Sequence, residues 1–239
     1  MSKTKIEWTE VSWNPTTGCT KISDGCKNCY AEKMAKRLRA MGNPKYRHGF
    51  NLTIHSDTLL DPYSWKKPKV VFVNSMSDLF HEDLPLSFIQ EVFMVMNNNP
   101  MHIFQILTKR ADLLEHYSPL LNWSENIWMG VTVESDRHYN RVDHLRKSGA
   151  FVKFISCEPL LTSLKDFNLF EIDWVIVGGE SGSKARPINK NWVIEIKDIC
   201  ETKDIPFFFK QWGGINKKKT GSQLDGVYYK NFPINPIHT

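Results

Sequence analysis

The feature of the sequence that most constrains the fold is an alternation of short apolar runs with longer amphipathic segments. Runs rich in β-branched and aromatic residues begin at about positions 69, 102, 127, 151, 173 and 206, and segments of helical length lie between most of them. The intervals of 22 to 33 residues match the length of a right-handed β-helix-β crossover. The pattern therefore predicts a parallel sheet built from βα units.

The number of strands predicts a (β/α) barrel. An earlier strand is expected near residues 5–13, which brings the total to seven. We expect one α/β domain over residues 1–239, a complete or partial (β/α) barrel. An open doubly wound parallel sheet is the alternative, because strand order cannot be read from one sequence. The irregular span 42–67 is expected to be an insertion or lid, and the polar tail at 214–239 to be peripheral.

Composition and charge narrow the class of protein only modestly. Hydrophobic residues make up 41% and charged residues 24% of the chain, which excludes disordered and collagen-like proteins. No apolar run approaches the roughly 18 residues of a membrane span, and residues 1–8 lack the apolar core of a signal peptide. We therefore expect a cytoplasmic protein that does not enter membranes. The net charge of +5 suits a polyanionic partner but lies below the balance typical of dedicated nucleic-acid binders.

Three of the five cysteines are clustered. Cys19, Cys26 and Cys29 lie within eleven residues, with the spacing C-x6-C-x2-C, on a loop that follows the first predicted strand. Three thiolates on one short loop can hold three corners of a [4Fe-4S] cluster and leave the fourth open for a substrate or cofactor. A structural zinc site is the alternative, with His48 or His55 as the fourth ligand. The odd number of cysteines argues against a disulfide framework.

Polar residues follow each of the later predicted strands, at the edge where the βα loops of a barrel converge. Catalytic groups of (β/α) barrels lie at this edge, so these side chains are expected to face one opening. They are Ser75, Ser77, Asp78, Lys109, Thr132, Glu134, Cys157, Glu158, Glu180 and Lys210. Such a mixture suits a ligand with ammonium, carboxylate and hydroxyl groups. The alternative is that they are ordinary polar loop residues and helix caps.

The cysteine motif resembles that of the radical S-adenosylmethionine (SAM) superfamily, which typically has the spacing C-x3-C-x2-C and an aromatic residue before the third cysteine. A closer resemblance covers nearly the whole chain. It rests on the three cysteines and on the motifs WNPTTGC at 13–19, NSMSDLFH at 74–81, SCEPLL at 156–161, GGESG at 178–182 and FKQWG at 209–213. These are similar to a phage- and prophage-associated family of unknown function with a radical-SAM-like three-cysteine motif. The resemblance implies a barrel of the radical SAM type and names no substrate.

The superfamily resemblance implies a radical enzyme. The three cysteines would bind the [4Fe-4S] cluster, which cleaves SAM reductively to a 5′-deoxyadenosyl radical with electrons from a reductant protein such as a flavodoxin or ferredoxin. By strand position, six residues would hold SAM: Ser75, Ser77 and Asp78 at its amino group, Lys109 at its carboxylate, and Thr132 and Glu134 at its ribose hydroxyls. The other charged groups at the opening are catalytic candidates: Glu158, Glu180 and Lys210.

The two remaining cysteines are expected to differ. Cys157 ends a predicted strand and could return a hydrogen atom to a product radical, as in enzymes that resemble spore photoproduct lyase. The alternative is that it is a small packed side chain. Cys200 shares a helical face with Val193 and Ile196 and is expected in the core.

The substrate is open between a nucleic acid or nucleotide, a small metabolite and a protein. The first is favoured by the positive balance and by basic residues on the first helix: Lys33, Lys36, Arg37 and Arg39. The alternative to an enzyme is a non-catalytic nucleic-acid-binding or interaction protein braced by zinc or an iron–sulfur cluster. Such a protein would not need charged side chains at the opening of the barrel.

Overall fold

A computed structural model describes residues 2–4 and 6–233, and its main element is an eight-stranded sheet. Seven of these strands are parallel and follow one another across the sheet in chain order, while a short strand at Ser2–Lys3 pairs antiparallel with the first of them. The parallel strands are β1 (Val11–Trp13), β2 (Val70–Val73), β3 (Ile103–Thr108), β4 (Ile127–Thr132), β5 (Val152–Cys157), β6 (Trp174–Gly178) and β7 (Phe207–Gln211).

The strand order identifies the sheet as a partial barrel. The seven parallel strands form a curled half-barrel, and within the described residues its two outer strands do not pair with each other. A doubly wound sheet would reverse its strand order at a switch point, and this sheet does not. The (β/α) half-barrel is therefore confirmed, and the doubly wound alternative is wrong.

Within the described residues, five helices of at least seven residues join the strands. They are α1 (Tyr30–Ala40), α2 (Leu86–Asn97), α3 (Ala111–Tyr117), α4 (Asn140–Arg146) and α5 (Lys190–Thr202). Helix α2 begins directly after Pro85, whose fixed φ suits a helix start, and α5 begins after Asn189, whose side chain accepts a hydrogen bond from the amide of Asn191. Residues 158–173 connect β5 to β6 without a helix.

Shorter elements complete the secondary structure. Two more pairs of strands are antiparallel, Thr16–Thr17 with Thr53–Ile54 and Gln223–Leu224 with Val227–Tyr228. One-turn helices and 3-10 turns lie at Asp24–Cys26, Pro44–Tyr46, Ser56–Leu59, Asp61–Ser64, Ser118–Leu120, Asp136–His138 and Lys217–Thr220.

The two faces of the sheet pack differently. Alternate side chains of each strand, such as Met129 and Val131 of β4, point outward and pack with the helices in the larger core. The intervening side chains point into the half-barrel, where a second, mostly aromatic cluster fills the end at which the strands begin. Trp8 packs there, with its ring centroid 4.6 Å from that of Phe72. Because aromatic rings fill this end, a site inside the half-barrel would lie towards the carboxyl ends of the strands.

The span 42–67 packs against the start of the loop that follows β1. In this span, the amide of His55 donates to the carbonyl of Pro15 at 2.8 Å, and the carbonyl of Thr58 accepts from the indole of Trp13 at 2.8 Å. Its assignment as an insertion or lid stays a prediction. No helix among the described residues is both long and apolar enough to cross a membrane.

The chain after β7 returns to the edge of the sheet. The amide of Phe209 donates to the carbonyl of Tyr229 at 2.9 Å, and the indole of Trp174 donates to the carbonyl of Asn231 at 2.9 Å. Residues 234–239 of the predicted peripheral tail lie outside the described residues.

Candidate functional site

The segment 18–29, here called the cysteine loop, begins against the residues that follow β2. The amide of Gly18 donates to the carbonyl of Met76 at 2.9 Å, and the hydroxyl of Ser77 donates to the carbonyl of Gly18 at 2.8 Å. Gly18 has φ +89°, a conformation that glycine adopts without steric cost. The first cysteine, Cys19, is thereby fixed beside the carboxyl end of β2.

The rest of the cysteine loop crosses to the far side of the sheet. Gly25 lies against Glu134, two residues beyond β4, since a Cβ at Gly25 would be 2.9 Å from Glu134 Oε1. The side-chain amide of Asn28 donates to Glu180 Oε2, two residues beyond β6, at 2.9 Å. The loop therefore spans the carboxyl ends of the strands from β2 to β6, and we call the opening beneath it the mouth.

The three thiols of the cysteine loop are free and half-buried. Burial, assisted by the charge of Asp78, raises the pKa of Cys19 to about 11. Burial also acts to raise the pKa of Cys26, but the charge of Lys109 and hydrogen bonds from Ile22 and Ser23 outweigh it, so this pKa lies below its usual value. The two thiols thus lie in different electrostatic surroundings at the same mouth.

Asp78 is fully occupied by protein donors. Its Oδ1 accepts from the amide of Phe80 at 3.0 Å and the hydroxyl of Thr108 at 2.7 Å, and its Oδ2 accepts from the amide of Lys109 and from Arg110 Nη1, both at 3.2 Å. A carboxylate has about four lone-pair sites, and all are used here. Asp78 therefore orients Arg110, and its expected contact with the amino group of SAM stays a prediction.

Ser75 and Ser77 hold loops together. The Ser75 hydroxyl donates to Asn14 Oδ1 at 3.2 Å, and the Ser77 hydroxyl donates to Gly18, as described. Each hydroxyl keeps its capacity to accept a hydrogen bond, so their predicted contact with SAM stays a prediction.

Glu134 is buried beneath the cysteine loop. Arg141 Nη1 donates to Glu134 Oε2 and to the carbonyl of Thr132, both at 2.8 Å. Burial acts to raise the pKa of Glu134, but the charges of Lys109 and Arg141 outweigh it and lower this pKa. Glu134 is thus a carboxylate facing Lys109, whose ammonium makes no ion pair or side-chain hydrogen bond within the described residues.

Two hydroxyls lie side by side within the half-barrel, below the charged groups. Thr132 and Ser156 are register partners on β4 and β5 and are each 1% exposed. Neither hydroxyl has a hydrogen-bond partner in the part of the chain that the structure describes. Buried hydroxyls are normally hydrogen-bonded, so this pair is suited to a polar ligand that enters from the mouth.

Glu158 and Lys210 form an ion pair inside the half-barrel, across the intervening strand β6. Lys210 Nζ is 2.9 Å from Glu158 Oε1 and donates to Oε2 at 3.1 Å. The strand between them has Gly178 at this level, where a Cβ would be 2.6 Å from Glu158 Oε1. The sequence-predicted candidates Glu158 and Lys210 are therefore brought together, and Gly178 leaves the space for their contact.

Glu180 joins the cysteine loop to the segment after β6. Arg186 Nη2 donates to Glu180 Oε1 at 2.7 Å, and Asn28 and the amide of Arg186 both donate to Oε2 at 2.9 Å. Burial opposes ionisation, but these hydrogen bonds, chiefly those from Arg186, lower the pKa of Glu180 to about 2.

The low pKa of Glu180 predicts loss of stability in acid. A carboxyl with a pKa near 4.5 when unfolded and about 2 when folded contributes stability above pH 4.5 that disappears as the pH falls towards 2. The full contribution is about 3 kcal/mol, and about 2 kcal/mol of it is lost by pH 3. Urea unfolding of Glu180→Gln should therefore show a difference between pH 7 and pH 3 that is about 2 kcal/mol smaller than in the wild type. The exposed Glu125→Gln is the control and should behave as the wild type; a Glu180→Gln protein with wild-type acid sensitivity would contradict the assignment.

Cys157 lies on the other side of the sheet from the mouth. It is fully buried in the core between sheet and helices, together with Val177 and Cys200. Side chains alternate along a strand, and Ser156 and Glu158 on either side of it point into the half-barrel. The expected position of Cys157 at the mouth, and with it the role of hydrogen-atom donor, is therefore corrected. The expected burial of Cys200 is confirmed.

The histidines considered for a zinc site have other partners. His55 Nε2 lies 2.8 Å from the hydroxyl of Thr17, and His48 Nε2 accepts from Arg47 at 2.8 Å. Within residues 2–4 and 6–233, no three Cys, His, Asp or Glu side chains are grouped as the ligands of one metal ion would be.

Arg110 is the functional candidate that the sequence analysis missed. It lies two residues beyond β3, is 4% exposed, and places Nη1 3.5 Å from the sulfur of Cys19. Its position after a strand could have suggested a role at the mouth, but a helix start there explains a polar residue equally well.

Comparison with known proteins shows both a family and a fold. The family described as "Protein of unknown function (DUF5131)" matches residues 3–233. No curated protein matches the chain. The phage association expected from the sequence stays a prediction.

Solved structures of spore photoproduct lyases are similar to this chain. One, complexed with dinucleoside spore photoproduct, has a TM-score of 0.52 and 12% identity. A cysteine-to-serine mutant has a TM-score of 0.51 and 13% identity. A double mutant with bound AdoMet and dinucleoside spore photoproduct has a TM-score of 0.50 and 12% identity. In each case 82% of this chain is covered and 62% of the other, so the chain spans about three fifths of their length. At this identity the likeness shows the fold alone, a half-barrel like that of the spore photoproduct lyases.

Proposed function

The chain belongs to the DUF5131 family, whose description names no activity, and we propose that it is a radical SAM enzyme in which Cys19, Cys26 and Cys29 bind a [4Fe-4S] cluster at the mouth. The observation that carries the proposal is the course of the cysteine loop across the carboxyl ends of β2 to β6. Catalytic groups of (β/α) barrels gather at this edge of the sheet. A loop that served only to brace the fold would not need to lie over buried charged groups.

The donor set and the interior of the half-barrel suit these cofactors. Three cysteines on one loop can each bind a different iron of a cubane cluster and leave the fourth iron open to another ligand. The unpartnered hydroxyls of Thr132 and Ser156 offer hydrogen bonds to a polar molecule beneath the loop. When bound, the cluster and SAM would supply one-electron cleavage of the sulfonium and a radical that abstracts hydrogen.

The residues of the mouth divide into two groups. Lys109, beside Cys26 and Glu134, is the cation available to bind the carboxylate of SAM. Glu134 and the unpartnered Thr132 hydroxyl, two residues apart in the sequence, would accept hydrogen bonds from the ribose. Glu158, just after β5, and Lys210, on β7, lie further along the sheet, where they would orient a substrate.

The proposal extends to the substrate, a nucleic acid or nucleotide. The exposed lysines and arginines of α1 begin four residues after Cys29. The first of them, Lys33, lies beside the loop after β6, since its Nζ would be 3.3 Å from a Cβ added at Gly182. Lys184 and Arg186 follow on that loop. These cations would bind phosphates by charge.

Anaerobic reconstitution with iron and sulfide tests the proposal. We expect about four irons per chain, a broad visible absorbance, and 5′-deoxyadenosine with methionine once dithionite and SAM are added. DNA oligonucleotides are expected to raise the yield of 5′-deoxyadenosine above that with SAM alone. Stoichiometric zinc without visible absorbance or nucleoside product would overturn the enzyme proposal, and a yield indifferent to DNA and RNA would overturn the substrate class.

A further inference from the structure

The guanidinium of Arg110 is buried at the start of the cysteine loop, and all five of its N–H donors are used. Nε donates to Glu82, Nη1 donates to Asp78 at 3.2 Å and lies 3.5 Å from Cys19 Sγ, and Nη2 donates to the hydroxyl of Thr20 at 2.6 Å and to its carbonyl at 3.4 Å. One donor of this fully engaged group thus points at a thiol that the proposed function makes a cluster ligand.

Thr20 and Glu82 fix the position of the guanidinium. The Thr20 hydroxyl donates to Glu82 Oε1 at 2.7 Å, so its contact with His81 Nε2 at 3.2 Å has the histidine as donor. This tautomer agrees with His81 Nδ1, which accepts from the amide of Asp83 at 3.1 Å. Every polar atom around the guanidinium therefore has a consistent role, which predicts a rigid arrangement rather than one of several rotamers.

The positive charge of Arg110 is paired with two carboxylates. Asp78 and Glu82 both bind it, so loss of the guanidinium would leave two negative groups beside Cys19 without their cation. A cluster gains one negative charge on reduction. Nearby positive charge and N–H donors to its sulfurs stabilise the reduced form, and negative charge destabilises it.

We propose that Arg110 is a positioning residue that fixes Cys19 at the mouth and raises the reduction potential of the cluster through its N–H donor and its charge. This inference rests on the proposed function. It concerns a residue that lies 91 positions from Cys19 in the sequence and belongs to no cysteine motif.

A redox titration of reconstituted Arg110→Gln tests the proposal. At the midpoint potential of the wild-type cluster, where half of it is reduced, we expect the ratio of reduced to oxidised cluster in the variant to fall about tenfold, which is 59 mV for a one-electron couple. Arg110→Lys keeps a charge but cannot contact all five acceptors, and we expect a shift of intermediate size. Iron content and the far-ultraviolet circular dichroism spectrum are measured on the same samples.

Arg146→Gln is the matched control. Arg146 also binds a carboxylate, that of Asp143, and two carbonyls, those of Phe170 and Asn168. It lies at the end of α4, remote from the mouth, so its replacement should leave the reduction potential unchanged. Loss of iron from a folded Arg110→Gln protein, with iron retained by Arg110→Lys, would support the positioning role. If Arg110→Gln does not fold, the reduction potential of the cluster in Arg110→Lys tests the inference.

Two outcomes overturn the inference in different ways. A wild-type iron content and an unchanged potential in both Arg110 variants would show that Arg110 neither positions Cys19 nor tunes the cluster, and would leave the proposed function intact. A wild-type protein that assembles no cluster under the same conditions would overturn the proposed function and this inference with it.

Discussion

Cys26→Ala protein, reconstituted without oxygen, is expected to hold less than about a tenth of the wild-type iron and to produce no 5′-deoxyadenosine, because two thiolates on one loop do not retain a cubane cluster. The variant should lose one cluster ligand but keep its fold. Cys26 is half-buried, and the contacts that fix the cysteine loop are made by Gly18 and Asn28. Iron content, visible absorbance and thermal unfolding of the apoprotein measure the two effects separately.

Cys200→Ala and Cys157→Ala are the controls for this experiment. Both cysteines are fully buried in the core behind the sheet, so their replacement should cost about 1 kcal/mol of stability and leave the iron content unchanged. Equal loss of iron from Cys26→Ala and Cys200→Ala would contradict the assignment of the three clustered cysteines as the ligands.

The fold could be predicted from the sequence because its signal is local and repeated. The apolar run that begins at about position 173 is β6 (Trp174–Gly178), and the run that begins at about 206 is β7 (Phe207–Gln211). Each strand of a buried parallel sheet is apolar on both faces. That same property hides which face a residue belongs to, and it explains why Cys157 was expected at the mouth when it lies behind the sheet.

The pairing of charges could not be predicted, because it depends on contacts between distant positions. Nothing near Asp78 in the sequence shows that Arg110, Thr108 and two amides occupy all of its acceptor sites. Glu158 and Lys210 also look alike as isolated strand-end charges, and only the register of β5, β6 and β7 brings them together over Gly178. Sequence reasoning found the edge that carries the site but not the partner of each charge.

Gly18→Ala should be the most damaging single-methyl change in the cysteine loop. The added Cβ would lie 2.1 Å from the carbonyl oxygen of Asn51, a backbone atom that cannot rotate away. The residue also has φ +89°, which costs an L-residue about 1 to 2 kcal/mol. Together with the forced backbone shift, we expect a loss of about 2 to 5 kcal/mol in the free energy of unfolding.

Gly42→Ala separates the cost of the positive φ from the cost of the steric clash with Asn51. Gly42 has φ +74°, close to that of Gly18, but nothing lies within 4 Å of its added Cβ, so only the conformational cost of about 1 to 2 kcal/mol should appear. Because Gly18 also carries the hydrogen bonds to Met76 and Ser77, its replacement should move Cys19 and lower the iron content, whereas Gly42→Ala should leave that content unchanged. Urea unfolding of the two apoproteins and iron analysis after reconstitution measure both effects. Equal costs and equal iron contents would mean that the cysteine loop does not pack against Asn51 in solution, and the position of the first ligand at the mouth would then have no support.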